Sequence, residues 1–174
     1  MPQSQDNRRL YFLLALAVWA ADQASKWLLA FTLAPGEVRR IVPGFFNLTH
    51  LYNRGAAFGL FADVATPLAR ILLVAFAIAA LGVVLVLLWR NPAGRAIGWS
   101  LALIFGGALG NLVDRLRTGG VVDFLDFHLG GYHWPAFNLA DSAIVLGAAG
   151  LIYQILHRTG LRPRPYGPGR HWEA

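Results

Sequence analysis

Four long runs of apolar residues, at 10–30, 68–89, 96–116 and 139–157, divide this chain, and polar stretches of unequal length separate them. At 1.5 Å of rise per residue, roughly 20 apolar residues span a bilayer, so each run predicts one transmembrane helix. The second run is almost pure Leu, Val, Ala, Ile and Phe and ends in Trp89-Arg90, an interfacial aromatic followed by a charge. The tight link Asn91-Pro92-Ala93-Gly94 makes the second and third helices antiparallel neighbours. Gly106, Gly107 and Gly110 in the third run, and Gly147 and Gly150 in the fourth, form small-residue faces that let helices approach closely. These faces can be consumed inside a monomer.

Between the first two runs the pattern changes. Pro35-Gly36 and Pro43-Gly44 are turn signals, and the β-branched and aromatic residues at 38–42 and 45–52 predict two short strands. A small sheet outside the bilayer is expected in this first loop, resting on the membrane through Phe45, Phe46 and Phe58. The stretch 117–138 reads as a second loop, with a Gly130-Gly131 turn that folds it back toward the fourth helix. The Pro-, Gly- and Arg-rich tail, 161–174, predicts disorder. The fold class is thus mainly α: a polytopic, four-helix membrane domain over 1–160 with a small sheet.

Composition agrees. The chain has 174 residues, 56% hydrophobic and 14% charged, against about 45–50% and 25% in soluble domains. Its formal charge of +6 is uneven: Arg8, Arg9, Arg90, Arg95 and the tail arginines gather on one side of a four-span topology. The positive-inside rule puts that side, with both termini, in the cytoplasm. Basic residues so placed suit anionic membrane lipid, and no single basic patch suits nucleic acid. Cysteine is absent, which excludes disulfides and thiolate chemistry. A positively charged start before an apolar run also describes a cleaved signal peptide, but the apolar pattern resumes past Lys26.

Polar residues within or beside membrane spans are costly and default to function. Asp22 and Lys26, four apart, share a helix face and can pair; a structural ion pair that orients the helix and a direct catalytic role are both open. Ser25 beside Lys26 does not face it, which argues against a Ser-Lys hydrolase. Asn111, Asp114 and Arg115 form one polar face, with interfacial snorkelling as the alternative for the arginine. Asn53 lies among small residues, including Gly55, where another chain has room to approach; a plain turn is the alternative. Asn138 with Asp141 three residues later is a helix-start signature. His128 and His133 read as solvated loop histidines rather than metal ligands with Asp126.

Two close aspartates can hydrolyse a peptide without metal or side-chain nucleophile, because they share one proton. The ionised member takes a proton from water; the protonated one polarises the scissile carbonyl and protonates the leaving nitrogen. Asp141 is one candidate, and its partner is Asp123 or Asp126. A proton relay or small transporter, and a scaffold whose polar residues only cap helices, are the rivals.

Five motifs in order resemble the lipoprotein signal peptidases (signal peptidase II), bacterial membrane aspartic peptidases: DQASK at 22–26, YNRGAAFG at 52–59, GNLVDR at 110–115, VVDF at 121–124 and FNLAD at 137–141. The resemblance covers about residues 10–157 and selects Asp123 over Asp126. It implies a catalytic pair of Asp123 and Asp141; a site lined by Asn53, Asn111, Arg115 and Asn138; and support from Asp22, Lys26 and Asp114. It implies an extracytoplasmic β-cradle, no cofactor, and a prolipoprotein substrate carrying a diacylglyceryl-cysteine. It also implies inhibition by globomycin and residence in the bacterial cytoplasmic (inner) membrane.

Overall fold

A computed structural model describes residues 3–55, 67–90 and 95–158. Four helices account for most of the chain: α1 (Gln3–Thr32), α2 (Pro67–Arg90), α3 (Arg95–Arg117) and α4 (Leu139–Arg158). The strands are β1 (Val38–Val42), β2 (Phe46–Asn53), β3 (Val121–Leu129) and β4 (Tyr132–His133). All four predicted apolar runs are helical, and α1 extends toward the N-terminus beyond its apolar run. The expected contact of Phe58, the 91–94 link and the tail lie outside the described residues.

α3 is the centre of the bundle, flanked by α1, α2 and α4. Its glycines explain why. A methyl group at Gly106 would overlap the Ala15 carbonyl of α1, and one at Gly107 would overlap the Ala140 carbonyl of α4. Gly147 and Gly150 of α4 sit in the same way against Ser100 of α3. The small-residue faces are therefore used within the chain, where they bring backbones close enough for dispersion and side-chain hydrogen bonds to act. Tyr11, Ala15, Leu88, Leu101 and Ala102 form the core at one end.

The opposite surfaces are apolar and bare. Leu13 and Leu16 on α1, Phe76 and Val83 on α2, and Val145 and Leu146 on α4 are all exposed. Exposed apolar area on this scale needs a covering phase, and lipid supplies one. Among the described residues three helices are long and apolar enough to cross a membrane: Arg70–Arg90, Ala96–Arg117 and Leu139–His157. α1 is not among them; it carries Asp22, Gln23 and Lys26 in its C-terminal half.

The sheet differs from expectation. It is a four-stranded antiparallel sheet, ordered β1-β2-β3-β4, and is not confined to the first loop. β3, nine residues long, was expected to be loop. Its carboxylates at 123 and 126 break the apolar pattern, and both are buried here because β2 supplies amide partners for them. Gly130, at φ 60°, allows the two-residue turn that closes β3 on β4. Beyond β4 the chain runs back along β3, with the Phe137 N–H donating to the Leu125 carbonyl at 3.1 Å. Thus the Gly-Gly turn does fold the link back, and it delivers Asn138 beside Asp123. A second core, Leu29 of α1 and Leu33 just beyond it with Phe124 of β3, fixes the sheet to the end of the bundle.

Candidate active site

The site begins with a local device. The first four N–H groups of any helix lack intrahelical acceptors. At the start of α4 the Asp141 N–H donates to Asn138 Oδ1 at 2.9 Å, and the Asn138 N–H donates to Asp141 Oδ2 at 3.3 Å. This reciprocal capping box is the helix-start signature read from the sequence. A third donor, the Ala140 N–H, reaches Asp22 Oδ1 of α1 at 3.0 Å. The Asp141 carboxylate is therefore held by the backbone N–H of Asn138 at the helix start.

Asn138 is fully buried and has a second task. Its amide Nδ2 donates to Asp123 Oδ1 at 2.8 Å, so one side chain caps the peptide of Asp141 while holding the carboxylate of Asp123. Asn53, the last residue of β2, donates to the other Asp123 oxygen at 3.0 Å. Its Oδ1 accepts the Gly55 N–H at 2.9 Å, so Asn53 makes the turn expected of it while its amide faces Asp123. Asn111 of α3 donates to Asp141 Oδ1 at 2.7 Å. Asp123 and Asp141, from different elements, thus meet on a shared lattice of asparagine amides.

Beneath them lies a buried cation. Lys26 Nζ donates to Asp22 at 2.8 Å and to Asn111 Oδ1 at 3.1 Å, and pairs with Asp114 at 2.6 Å. Two hydrogen bonds and two carboxylate partners surround it, which is the compensation a buried ammonium requires. Gln23 ties Asp114 to this group at 2.9 Å. Gln23 was not singled out from the sequence, although a second polar side chain beside Asp22 in an apolar run was the available signal. Gly110 has no side chain because a methyl there would strike Asp22 Oδ2. Ser25 Oγ donates to the Asp22 carbonyl of its own helix at 2.8 Å. Arg115 is half-buried and donates to the carbonyls of Asn111, at 3.3 Å, and of Gly55, at 3.2 Å. It grips backbone on both sides rather than reaching out to an interface.

Asp126 has separate partners. Asn47 donates to it at 2.8 Å, and His133 Nδ1 lies 2.9 Å away. The histidines are strand residues, contrary to the loop expectation. His128 and His133 face each other across β3 and β4 with rings stacked at 4.7 Å. Among the described residues no group of three or more His, Asp or Glu has a geometry that holds a metal ion.

Electrostatics separates the two β3 carboxylates further. Burial pushes the Asp123 carboxyl up, the nearby Asp141 charge adds to this, and hydrogen bonds from Asn53 and Asn138 and the Lys26 charge pull it back; the balance is about 6. Burial also works on Asp126, but there the Asn47 and His133 hydrogen bonds win and hold it below the usual carboxylate value. Asp123 is thus the β3 carboxyl that keeps a proton close to neutral pH, and Asp126 stays ionised. A carboxyl near 6 beside a second carboxylate is suited to proton exchange with a bound substrate.

Comparison with known proteins gives a consistent result. Residues 14–157 match the family described as signal peptidase (SPase) II. A lipoprotein signal peptidase of Desulforapulum autotrophicum is 47% identical over 146 residues, covering 83% of this chain and 90% of that protein. One from Burkholderia thailandensis is 52% identical over 145 residues, covering 83% and 86%. A bacterial membrane enzyme solved by the in meso method at 2.3 Å superimposes with a TM-score of 0.77 at 30% identity, over 91% of this chain and 94% of that one. Another, at 1.9 Å, gives 0.74 at 32% identity, over 84% and 92%.

Proposed function

This chain belongs to the signal peptidase II family, and from that premise we propose that it is a membrane aspartic endopeptidase. It removes the signal peptide from diacylglyceryl-modified prolipoproteins by cutting just before the lipidated cysteine. The observation that carries this reading is that one buried amide, that of Asn138, joins the two residues: its Nδ2 donates to the Asp123 carboxylate and its Oδ1 accepts the Asp141 N–H.

The chemistry follows from their surroundings. Asp141, as carboxylate, takes a proton from water as the oxygen adds to the scissile carbonyl carbon. Asp123, as acid, gives its proton to the carbonyl oxygen, so a neutral gem-diol forms. Asp141 then passes its proton to the leaving nitrogen, Asp123 regains one from the diol, and the C–N bond breaks to acid and amine. Asn53, Asn111 and Asn138 fix the pair, Arg115 holds the Gly55 backbone beside it, and Asp22, Lys26 and Asp114 form the base beneath.

All four helices cross the bilayer in this reading. α1 is included because its inward polar residues are satisfied within the bundle, while Leu13, Leu16, Leu28 and Phe31 face outward. The termini are cytoplasmic, by the arginine distribution. The active site then lies near the extracytoplasmic face, where acyl chains of a lipidated substrate end. The chain acts as a monomer, its small-residue faces being occupied internally. A transporter would need charged steps across the membrane; among the described residues the buried charged groups, Asp22, Lys26, Asp114, Asp123 and Asp126, collect toward the sheet end.

Purified protein in lipid nanodiscs, given a prolipoprotein with and without diacylglycerol on its cysteine, tests this reading. Mass spectrometry is expected to find the lipidated cysteine as the new N-terminus, with the unmodified precursor cut at least about a hundredfold more slowly, since remote binding energy is lost. Globomycin is expected to block the reaction. Failure to cut the lipidated precursor, or equal cutting of both, rejects the assignment.

A further inference from the structure

We propose that Arg70 of α2, which none of the sequence motifs includes, is a positioning residue for the catalytic pair: it clamps the C-terminal turn of α3 and through it sets Arg115, Gly55 and Asn53 against Asp123. This rests on the reading of Asp123 and Asp141 as the reacting groups.

The clamp has a defined geometry. Arg70 Nη2 donates to the Arg115 carbonyl at 3.2 Å. The same oxygen accepts the Gly119 N–H at 3.1 Å, while the Thr118 N–H closes on the Asp114 carbonyl at 2.8 Å. Gly119 has φ 89°, the left-handed residue that ends a helix, and a methyl there would come within 3.1 Å of the Arg70 guanidinium. Gly119 therefore both turns the chain and leaves the space that the guanidinium fills. A cation at this end also complements the partial negative charge of the helix terminus.

Two routes lead from this joint to Asp123. Along the chain, Gly119 and Gly120 pass directly into β3, whose third residue is Asp123. Through side chains, Arg115 donates to the Gly55 carbonyl, Gly55 donates to Asn53, and Asn53 donates to Asp123. Arg70 is thus placed where backbone and side-chain support for the same carboxyl begin. Beside it an open groove of about 740 Å³ lies between α2 and α3, its described lining including Arg54, Arg70, Ile71, Val74, Ile78 and Leu116. The guanidinium ties α2 to the last turn of α3 at the edge of this groove. A simple helix cap would stabilise α3 and leave the chemistry alone; a positioning residue changes the proton affinity of Asp123.

Arg70→Met and Arg70→Lys, in full-length protein in nanodiscs, separate these outcomes. Arg70→Met is expected to lower kcat about tenfold to a hundredfold, as small misplacements do, with KM within about twofold. The Asp123 titration, read from the ¹³C-labelled carboxyl and assigned by its loss in Asp123→Asn, is expected to move up, because loosening Asn53 weakens a bond that favours the carboxylate. Arg70→Lys keeps the charge and a donor, and is expected to recover most of both. The inference is overturned if Arg70→Met leaves the Asp123 titration at its wild-type midpoint, if kcat falls only in proportion to the folded fraction, or if KM alone rises. The titration needs no substrate. If the wild type cleaves nothing, the peptidase reading fails while the midpoint still decides the role of Arg70.

Discussion

Asp141→Asn is expected to abolish prolipoprotein cleavage, by about 10³–10⁴-fold or more, while leaving the fold in place; removing a positioned acid or base costs up to this range. The substitution keeps the helix cap but costs the bond from Asn111, whose amide donates to Asp141 Oδ1 and would face an amide nitrogen there. An Asn at 141 still accepts the Asn138 N–H and still presents its own N–H to Asn138 Oδ1, so the helix cap survives. It also loses the ability to take a proton from water. Asp123→Asn is expected to lose activity to the same degree, with a folding cost as well. Both Asp123 oxygens accept amide donors, from Asn53 and Asn138. An amide placed there turns one acceptor into a donor, and Asn53 cannot flip without losing Gly55. Asp126→Asn serves as the contrast: its partners are Asn47 and His133, and activity should stay within a few-fold of wild type. Loss of cleavage in Asp126→Asn with retention in Asp123→Asn would reverse the assignment. Initial rates on the lipidated precursor, normalised to folded protein, read all three.

Lys26→Met is expected to produce the largest loss of stability in the chain. Methionine matches the stem of lysine but supplies no donors, leaving Asp22, Asp114 and the Asn111 carbonyl oxygen without their cation. Removing one partner of a buried ion pair costs about 3–5 kcal/mol, which at this chain length lowers the unfolding midpoint by roughly ten degrees or more. Activity falls with it, because Asn111 is the donor to Asp141. Adding Asp22→Asn to Lys26→Met should recover part of the midpoint, since one stranded charge is gone. Thermal unfolding in nanodiscs measures this, and additive midpoint losses in the double variant would show that the pair is not coupled.

The helices were legible because each is a long apolar run between turn or charge signals, and such a run has one solution in a bilayer. The cap at Asn138 and Asp141 was legible for a different reason: it closes within four residues. β3 was not. Its carboxylates look like loop residues until their partners are known, and those partners, Asn47 and Asn53, lie 79 and 70 positions away. The second task of Asn138, whose amide bridges to Asp123 fifteen positions away, was hidden because it depends on how β3 and the β4 turn fold back, and the choice between Asp123 and Asp126 came from resemblance rather than from pattern. Arg70 was invisible for a related reason, because its partner is a backbone carbonyl, which every residue carries.

The division of roles between the two aspartates has a direct reading in the pH dependence of wild-type kcat/KM on the lipidated precursor. Asp123 must carry a proton to act, and its carboxyl sits at about 6, so activity is lost as pH rises through that value. At pH 7 about one molecule in ten still holds the proton. The predicted profile is therefore a bell with its alkaline limb near pH 6 and its acid limb set by the pair's other ionisation. A rate that climbs from pH 6 to 8, or stays level across that range, would contradict a shared-proton aspartate pair.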